Sequence, residues 1–283
     1  MELKAITPGR VDTLSERVRR ITAPNPGVMT GPGTNAYVLG THELALLDPG
    51  PELENHIEAL LQLVGTRLRW ILCTHTHLDH SPATAAIRAA TNAQVLGKLP
   101  PDDGRHDPAF APDRVLQDGE WLETPEFRLR AVHTPGHSSE HLCYLLDEER
   151  LLFTGDHVMQ GSTVVIGPPD GSMSAYLASL EKLFALDVAR FAPGHGHLIE
   201  NPHDEVRRLI KHRLAREQKV LGALQSLGRG DLDALVVRAY DDVSPRLHPV
   251  ARRSLTAHLL KLEQDGLARR EDEQWIAASR RAD

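Results

Sequence analysis

Four side chains of metal-binding types lie within six residues of this chain, at His75, His77, Asp79 and His80. Three imidazoles at this density repel one another on protonation, and the imidazoles and the carboxylate all resist burial unless a cation is present. Neutral imidazole and carboxylate are ordinary ligands for zinc and similar ions. The spacing therefore predicts a metal site, in preference to a helix cap with incidental histidines.

Three more residues of the same types follow at His137, Asp156 and His195, and each lies next to a glycine. Glycine lets the backbone approach a ligand closely, so each residue is a candidate for the same site. A single histidine in a glycine turn is a weak signal. The signal becomes strong for the whole set, because its members lie at strand ends in a βα layout.

The flanks of the first cluster indicate which elements position it. Leu68–Cys73 is a short apolar run that predicts a buried strand. Ser81 is a good N-cap, and Pro82 a good first residue, for a helix that follows. The cluster is thus predicted on a loop between a strand end and a helix start, which is the usual place for a site in layered α/β folds.

Residues 1–200 combine short apolar strands with helices, which suits two packed sheets with helices outside. We predict strands at Val18–Ile21, Asn35–Leu39, Glu43–Leu47, Leu68–Cys73, Ala93–Leu96, Phe127–Val132, Leu142–Leu146 and Leu151–Phe153. We predict helices at Glu52–Val64, Ala83–Ala90 and Ser174–Leu186. Residues 100–113 are rich in turn-forming residues and predict an irregular surface excursion.

From about Pro202 the pattern changes to three helices followed by a hairpin, which is a winged-helix arrangement. The predicted helices are Glu205–Leu227, Leu232–Tyr240 and Val250–Asp265, and the predicted strands are Gly266–Arg270 and Gln274–Ala277. The chain is therefore predicted to comprise a catalytic domain, residues 1–208, and a winged-helix-like domain, residues 209–283.

The net charge of −7 is unevenly distributed. Residues 201–283 hold 16 Lys and Arg against 13 Asp and Glu, whereas residues 1–200 hold 16 against 26. An acidic catalytic half weakens any function in which a broad basic surface grips a long nucleic acid, although a local basic groove remains open.

The two cysteines and the hydropathy pattern indicate where the protein resides. Cys73 and Cys143 lie in apolar runs and are predicted to be reduced core residues. No apolar run reaches the roughly 18 residues of a membrane span. We therefore expect a cytoplasmic protein that has no membrane partner.

The candidate ligands, in their order and spacing, resemble the motifs of the metallo-β-lactamase superfamily. These ligands are His75, His77, Asp79, His80, His137, Asp156 and His195. Asp48, which follows an apolar strand, matches the first motif of that superfamily. The resemblance implies an α+β fold, a four-layer αββα sandwich, with a dinuclear site between its sheets.

The resemblance also implies how the ligands divide between two metal ions: His75, His77 and His137 on one, Asp79, His80 and His195 on the other, and Asp156 bridging them. Asp48 would orient the site through hydrogen bonds to the ligands. The alternative is that Asp48 is only a turn former in the sequence Asp48-Pro49-Gly50.

Within the superfamily the chain resembles the lactamase-beta-2-like branch over nearly its whole length. The segments that carry this resemblance are Gly31–Tyr37, His133–His141 and His212–Gln218. A C-terminal winged-helix-like domain is typical of that branch, whose animal members resemble single-strand endoribonucleases and whose fungal relatives act as acyl-carrier thioesterases. Gly167–Met173 departs from the acidic-aromatic stretch of the animal members, so their substrate cannot be transferred to this chain.

Two divalent ions about 3.5–4 Å apart can share a hydroxide, because metal binding lowers the pKa of water from about 15.7 towards 7. The ligand set favours zinc, although Mn or Fe would accept the same residues. Asp79 is the candidate catalytic residue, since it can both bind metal and hold the hydroxide by a hydrogen bond. His141 is a candidate for contact with substrate or with a ligand, and the alternative is a satisfied histidine on the adjoining strand.

These features favour a dinuclear metal-dependent hydrolase that uses a metal-bridging hydroxide on a small ester, thioester or lactone-like substrate. One alternative is a single-strand endoribonuclease of the same branch. Another is a winged-helix nucleic-acid-binding protein with a vestigial metal site. The expected partner is a small acyl molecule, RNA is the alternative, and homo-oligomer formation stays open.

The basic residues that lead into the winged helix suit two interpretations. They are Arg207, Arg208, Lys211, Arg213 and Arg216. They could form part of a nucleic-acid surface. The preferred interpretation is a solvated helical face beside a packing or dimerisation module.

Overall fold

The computed structural model describes residues 5–278. The outer ends of the two predicted domains, residues 1–4 and 279–283, lie outside the described residues. The chain folds into two compact units. The first extends to Thr134 and adds Glu140–Ser162 and Ala185–Pro202, and the second comprises Pro135–Ser139, Thr163–Phe184 and the residues from His203 onwards. The boundary at residue 208 stays a prediction.

The first unit contains a mixed sheet whose strands follow chain order. They are β1 (Val11–Thr13), β2 (Val18–Thr22), β3 (Asn35–Leu39), β4 (Leu44–Leu47), β5 (Leu68–Leu72), β6 (Gln94–Gly97) and β7 (Arg114–Val115). Neighbours from β1 to β4 pair antiparallel, and neighbours from β4 to β7 pair parallel. Because β4 and β5 are parallel, Asp48 and the His75–His80 cluster leave the sheet at the same edge.

A second sheet in the first unit positions two further candidates. Its strands are β8 (Trp121–Glu123), β9 (Arg128–His133), β10 (Leu142–Leu146), β11 (Leu151–Gly155) and β12 (Arg190–Pro193). They pair antiparallel except for β11 and β12, which are parallel. Asp156 and His195 follow β11 and β12, so these two residues also lie at one sheet edge.

The two sheets share a buried apolar core, which includes Tyr37 and Leu72 from the first sheet and Tyr144 and Phe153 from the second. The rings of Tyr37 and Phe153 meet edge to face with centroids 5.0 Å apart. The other face of the first sheet packs on helices α1 (Glu54–Val64) and α2 (Ala83–Thr91). Strands β3 and β4 are buried on both faces, which explains why β4 is entirely apolar and why β3 carries no charged residue.

The second unit is mainly helical. Its elements are α3 (Met173–Lys182), α4 (Pro202–Leu227), α5 (Leu232–Ala239) and α6 (His248–Gln264), with short strands β13 (Arg229–Gly230), β14 (Ala268–Glu271) and β15 (Gln274–Ala277). Helices α4–α6 and the small sheet enclose one core, which includes Leu224, Leu255 and Trp275. This is the predicted arrangement of three helices and a hairpin, with β13 added beside β15.

Two local predictions in the first unit are wrong. Ser81 does not cap α2 with its side chain, because its Oγ donates to Oδ2 of Asp107 at 3.1 Å and the helix begins at Ala83. Residues 100–113 are irregular, as predicted, but they do not lie wholly on the surface, because His106 and Phe110 are buried at 5% and 3% exposure. The loop carries its own buried anchors, which its turn-rich composition does not reveal.

The basic residues of α4 do not share one solvated face, which corrects the preferred interpretation of that helix. Arg213 and Arg216 are buried at 3% and 8% exposure, whereas Arg207 and Lys211 are exposed. Two of the guanidinium groups therefore serve the interior of the second unit.

Two predictions from composition can be compared directly with the structure. Cys73 and Cys143 are buried and form no disulfide, as expected for reduced core residues. In the part of the chain that the structure describes, no helix combines the length and apolarity needed to cross a bilayer.

Candidate metal centre

Four predicted ligands from three loops of the first unit converge on one point. Nε2 of His80 lies 3.6 Å from Oδ2 of Asp79 and 3.5 Å from Oδ1 of Asp156. Nε2 of His195 lies 3.3 Å and 3.4 Å from the same two oxygens. Each imidazole therefore faces both carboxylates.

The spacing of these atoms fits a divalent cation. Tetrahedral zinc holds nitrogen and oxygen ligands at about 2.0–2.1 Å, which separates neighbouring ligand atoms by about 3.3–3.4 Å. The four distances in the cluster span 3.3–3.6 Å. Nε2 of His80 is also buried without any hydrogen-bond partner among the described residues. The donor set and its spacing thus match what a cation would need here.

Opposite charges compensate one another in this cluster. Burial lowers the pKa of His80, but the carboxylates of Asp79 and Asp156 outweigh it and hold that pKa well above its usual range. The pKa of His195 rises to about 9 in the same way, because Asp156 and Asp79 outweigh the burial. Burial raises the pKa of Asp156, yet His195 and His80 hold it well below its usual range. The two imidazoles and the two carboxylates therefore stabilise one another's charged forms.

Asp48 fixes the orientation of His80. The carboxylate is buried directly after β4, and its Oδ2 faces Nδ1 of His80 at 3.1 Å. It also accepts hydrogen bonds from the backbone N of Thr74 at 2.6 Å and from Oγ1 of Thr74 at 2.8 Å. With a carboxylate on Nδ1, Nε2 is the ring nitrogen that a metal would use, the pattern that orients metal-binding histidines in general.

A close backbone approach positions His195. Its Nδ1 lies 3.1 Å from the carbonyl oxygen of Gly33, so Nε2 is again the atom that faces the carboxylates. A Cβ atom on Gly194 would lie 2.7 Å from Cε1 of His80 and 2.8 Å from Oδ1 of Asp156. Only glycine lets the His195 loop come this near to the cluster.

His75 and His77 lie beside this cluster in the same unit. The His75 ring centroid is 4.7 Å from that of His77 and 4.2 Å from that of His80. His77 stacks on His106 with centroids 4.5 Å apart and an interplanar angle of 21°. The structure therefore brings the whole His75–His80 motif together.

His141 is completely buried, at 0% exposure. Its ring centroid is 5.2 Å from that of His75, and its Nδ1 lies 2.9 Å from Oγ1 of Thr134. This burial favours contact with a ligand over contact with a substrate.

His137 belongs to the second unit, in the turn Pro135–Ser139. Its Nδ1 lies 2.8 Å from the carbonyl oxygen of Val165, so Nε2 is the ring nitrogen that a metal would use. The assignment of His137 to one metal ion together with His75 and His77 stays a prediction.

Two buried polar contacts near the motif were not predicted from the sequence. Oε1 of Glu140 accepts hydrogen bonds from N and Oγ1 of Thr76 at 2.9 and 2.8 Å, and burial raises the pKa of this carboxyl. Nδ2 of Asn35 donates to the carbonyl oxygens of Pro193 and Gly196 at 3.0 and 2.9 Å. Glu140 and Asn35 lie in the segments that carry the family resemblance. Their place in those segments was the one sequence feature that could have identified them.

Comparison with known families gives two matches along the chain. Residues 29–195 match the family described as "Metallo-beta-lactamase superfamily". Residues 232–275 match the family described as "Beta-lactamase associated winged helix domain". The predicted superfamily and the predicted winged helix are therefore both confirmed.

Individual relatives agree with these matches. The chain is 36% identical over 227 residues to an "Atrochrysone carboxyl ACP thioesterase" of Aspergillus fumigatus, which covers 77% of this chain and 68% of the relative. It is 32% identical over 273 residues to a "Beta-lactamase-like protein 2 homolog" of Drosophila melanogaster, with 92% of each chain covered.

A solved structure supports the fold. A beta-lactamase domain protein from Burkholderia ambifaria superimposes with a TM-score of 0.83 at 19% identity, over 97% of this chain and 95% of that chain. Together with the two family matches, this likeness confirms the predicted fold class, an α+β metallo-β-lactamase sandwich followed by a winged-helix domain. The chain is therefore a member of the metallo-β-lactamase superfamily, a hydrolase of that fold that carries the associated winged-helix domain.

Proposed function

We propose that this hydrolase uses two divalent metal ions to cleave a small acyl thioester. The observation that carries the proposal is the convergence of Asp79, His80, Asp156 and His195, with nitrogen to oxygen distances that suit coordination to a shared cation. A relative with 36% identity is named an acyl-carrier-protein thioesterase, which supports the thioester over the ester and the lactone.

The proposed ligand assignment follows the family resemblance. One ion would be held by His75, His77 and His137, the other by Asp79, His80 and His195, and Asp156 would bridge them. Zinc is the proposed ion, because imidazole and carboxylate are among its ordinary ligands. Asp48 and His141 would act through the ligands, Asp48 on His80 and His141 on His75, since both are buried.

When bound, the ions would lower the pKa of a water molecule and polarise the acyl oxygen. Asp79 is the most exposed member of the convergent cluster, with 31% of its side chain accessible against 0% for His80 and 6% for His195. We propose that its Oδ1 accepts a hydrogen bond from the attacking water, while Oδ2 faces the two imidazoles. Asp79 would thus orient the nucleophile as well as bind metal.

A substrate panel tests this proposal. Zinc-loaded protein is assayed with short-chain and long-chain acyl-pantetheine thioesters, with the matching oxygen esters and with single-stranded RNA. We expect thioester turnover that falls by about 100-fold or more in Asp79→Asn, because a group that acts in proton transfer typically contributes about 100-fold to 10,000-fold. Asp187→Asn is the control, because that carboxylate is 78% exposed and pairs only with Arg150 among the described residues.

The alternatives predict different outcomes of the same panel. RNA cleavage that depends on Asp79, without thioester turnover, would establish the endoribonuclease instead. The absence of both bound metal and turnover would establish a vestigial site. The cytoplasmic location stays a prediction, and homo-oligomer formation stays open.

A further inference from the structure

A buried arginine connects α4 to the segment that holds His137. Arg213 is 3% exposed, its Nη2 donates to the carbonyl oxygen of Val164, and its guanidinium carbon lies 5.2 Å from the ring centroid of Tyr176. We infer that Arg213 is a positioning residue for metal binding by His137. This inference rests on the proposed function, in which His137 is a ligand.

The first connection runs through the residues after Ser162. Val165 follows the anchored Val164, and its carbonyl oxygen is the group that faces Nδ1 of His137 at 2.8 Å. On the other side, the backbone N of Ile166 donates to Oγ of Ser254 in α6 at 3.3 Å. The carbonyl that meets His137 is therefore held between two anchors, one from α4 and one from α6.

The second connection runs through Tyr176, whose ring lies against the Arg213 guanidinium. A Cβ on Gly136 would lie only 2.4 Å from Cα of Tyr176, so the turn that carries His137 touches the start of α3. The backbone N of Ser172 also donates to the carbonyl oxygen of Gly136 at 2.8 Å. Arg213 thus contacts both the segment that supplies the Val165 carbonyl to the His137 ring and the helix α3, against which the His137 turn packs.

The chemical reason for this arrangement is the tautomer of the imidazole. A neutral histidine coordinates through Nε2 only when Nδ1 carries the proton, and a carbonyl acceptor at Nδ1 fixes that state. If the Val165 carbonyl no longer points at Nδ1, the His137 ring can rotate more freely. It can then also adopt the tautomer that carries the proton on Nε2. Loss of such a supporting contact typically lowers metal affinity by about 10–100-fold.

The same helix supplies a matched control in Arg216. This arginine is also buried, donates to a backbone carbonyl, that of Ala239, at 2.5 Å, and lies 4.3 Å from the ring centroid of Tyr240. It additionally pairs with Asp242 at 2.7 Å. Arg216 therefore makes equivalent contacts that lead to α5 and not to His137.

The experiment compares Arg213→Met with Arg216→Met in the full-length metal-free protein. Zinc is titrated against a chromophoric chelator to obtain both dissociation constants, and urea unfolding of the metal-free protein reports stability. We expect Arg213→Met to weaken one of the two zinc equivalents by about 10-fold or more and to leave the other unchanged. Arg216→Met should lower the unfolding midpoint and preserve both affinities.

Two milder variants keep the test decisive if Arg213→Met does not fold. Arg213→Lys should recover part of the affinity, because an ammonium can donate to Val164 but lacks the planar group that stacks on Tyr176. Ser254→Ala should weaken the same zinc equivalent through Ile166. Unchanged affinity in all the Arg213 and Ser254 variants, or equal losses in Arg216→Met, would overturn the inference. A wild-type protein that binds fewer than two equivalents would instead overturn the proposed function.

Discussion

The Asp48→Asn substitution tests the positioning of His80 most closely. The carboxylate of Asp48 accepts three hydrogen bonds, two from Thr74 and one from Nδ1 of His80. An amide of the same shape has one acceptor oxygen where the carboxylate has two, and its NH₂ group can only donate, so it cannot accept from all three groups in place. The loss must appear in one of two places.

If the amide oxygen stays opposite the Thr74 backbone, the amide NH₂ faces Nδ1 of His80. The imidazole must then accept there and carry its proton on Nε2, which blocks coordination. Metal affinity should fall by about 10–100-fold, equivalent to about 1.4–2.7 kcal/mol. If the amide is flipped, His80 keeps its acceptor but the buried N–H of Thr74 loses its own, at a cost of about 1–3 kcal/mol in unfolding free energy.

Both quantities are measured on the same preparation, by chelator competition for metal affinity and by urea unfolding of the metal-free protein. Asp107→Asn is the control, because that carboxylate is buried too and, among the described residues, its side chain accepts hydrogen bonds from Ser81 and Ala109 and from no predicted ligand. The reasoning is refuted if Asp48→Asn changes neither affinity nor stability by as much as about 1 kcal/mol.

Two further predictions concern backbone approach and pH. Gly194→Ala should abolish binding of one metal equivalent, because its Cβ would overlap His80 and Asp156. The control is Gly222→Ala in α4, whose Cβ meets no atom within 4 Å and which should be neutral or slightly stabilising. Metal analysis and thermal unfolding check both variants. The unfolding free energy of the metal-free protein should fall as pH rises from about 6.5 to 9, by up to about 3 kcal/mol, because folded His195, with a pKa of about 9, keeps a proton that the unfolded imidazole has released. Urea unfolding across that range should show a smaller fall in His195→Asn, and a rise with pH in the wild type would contradict the assignment.

The site was predictable because its chemistry is concentrated at strand ends. The short apolar runs before Asp48 and before the His75–His80 motif identify β4 and β5, and the parallel pairing of these strands brings the residues after them together. Asp156 was placed by the same logic at the end of β11. A strand end that is followed by a glycine and by a residue of a metal-binding type is a local signal, so it can be recognised in a single sequence.

Other elements were missed for identifiable physical reasons. Strand β12 is only four residues long, and Arg190–Pro193 includes a proline, so its sequence does not resemble a strand. Its pairing with β11 and the hydrogen bonds from Asn35 to its end stabilise it through contacts distant in sequence. The prediction of a solvated basic face on α4 was wrong for a similar reason. Only the folded second unit shows that Arg213 and Arg216 donate to buried carbonyl groups.

Metal stoichiometry tests the central claim most directly. Metal-free protein is dialysed to equilibrium against zinc, the bound metal is measured by elemental analysis, and the same sample is assayed for thioester hydrolysis. We predict two equivalents per chain in the wild type, with activity restored by the metal, and weaker binding of both equivalents in Asp156→Asn, the proposed bridge. One equivalent or none in the wild type, or an Asp156→Asn variant that binds both ions as tightly as the wild type, would contradict the dinuclear account.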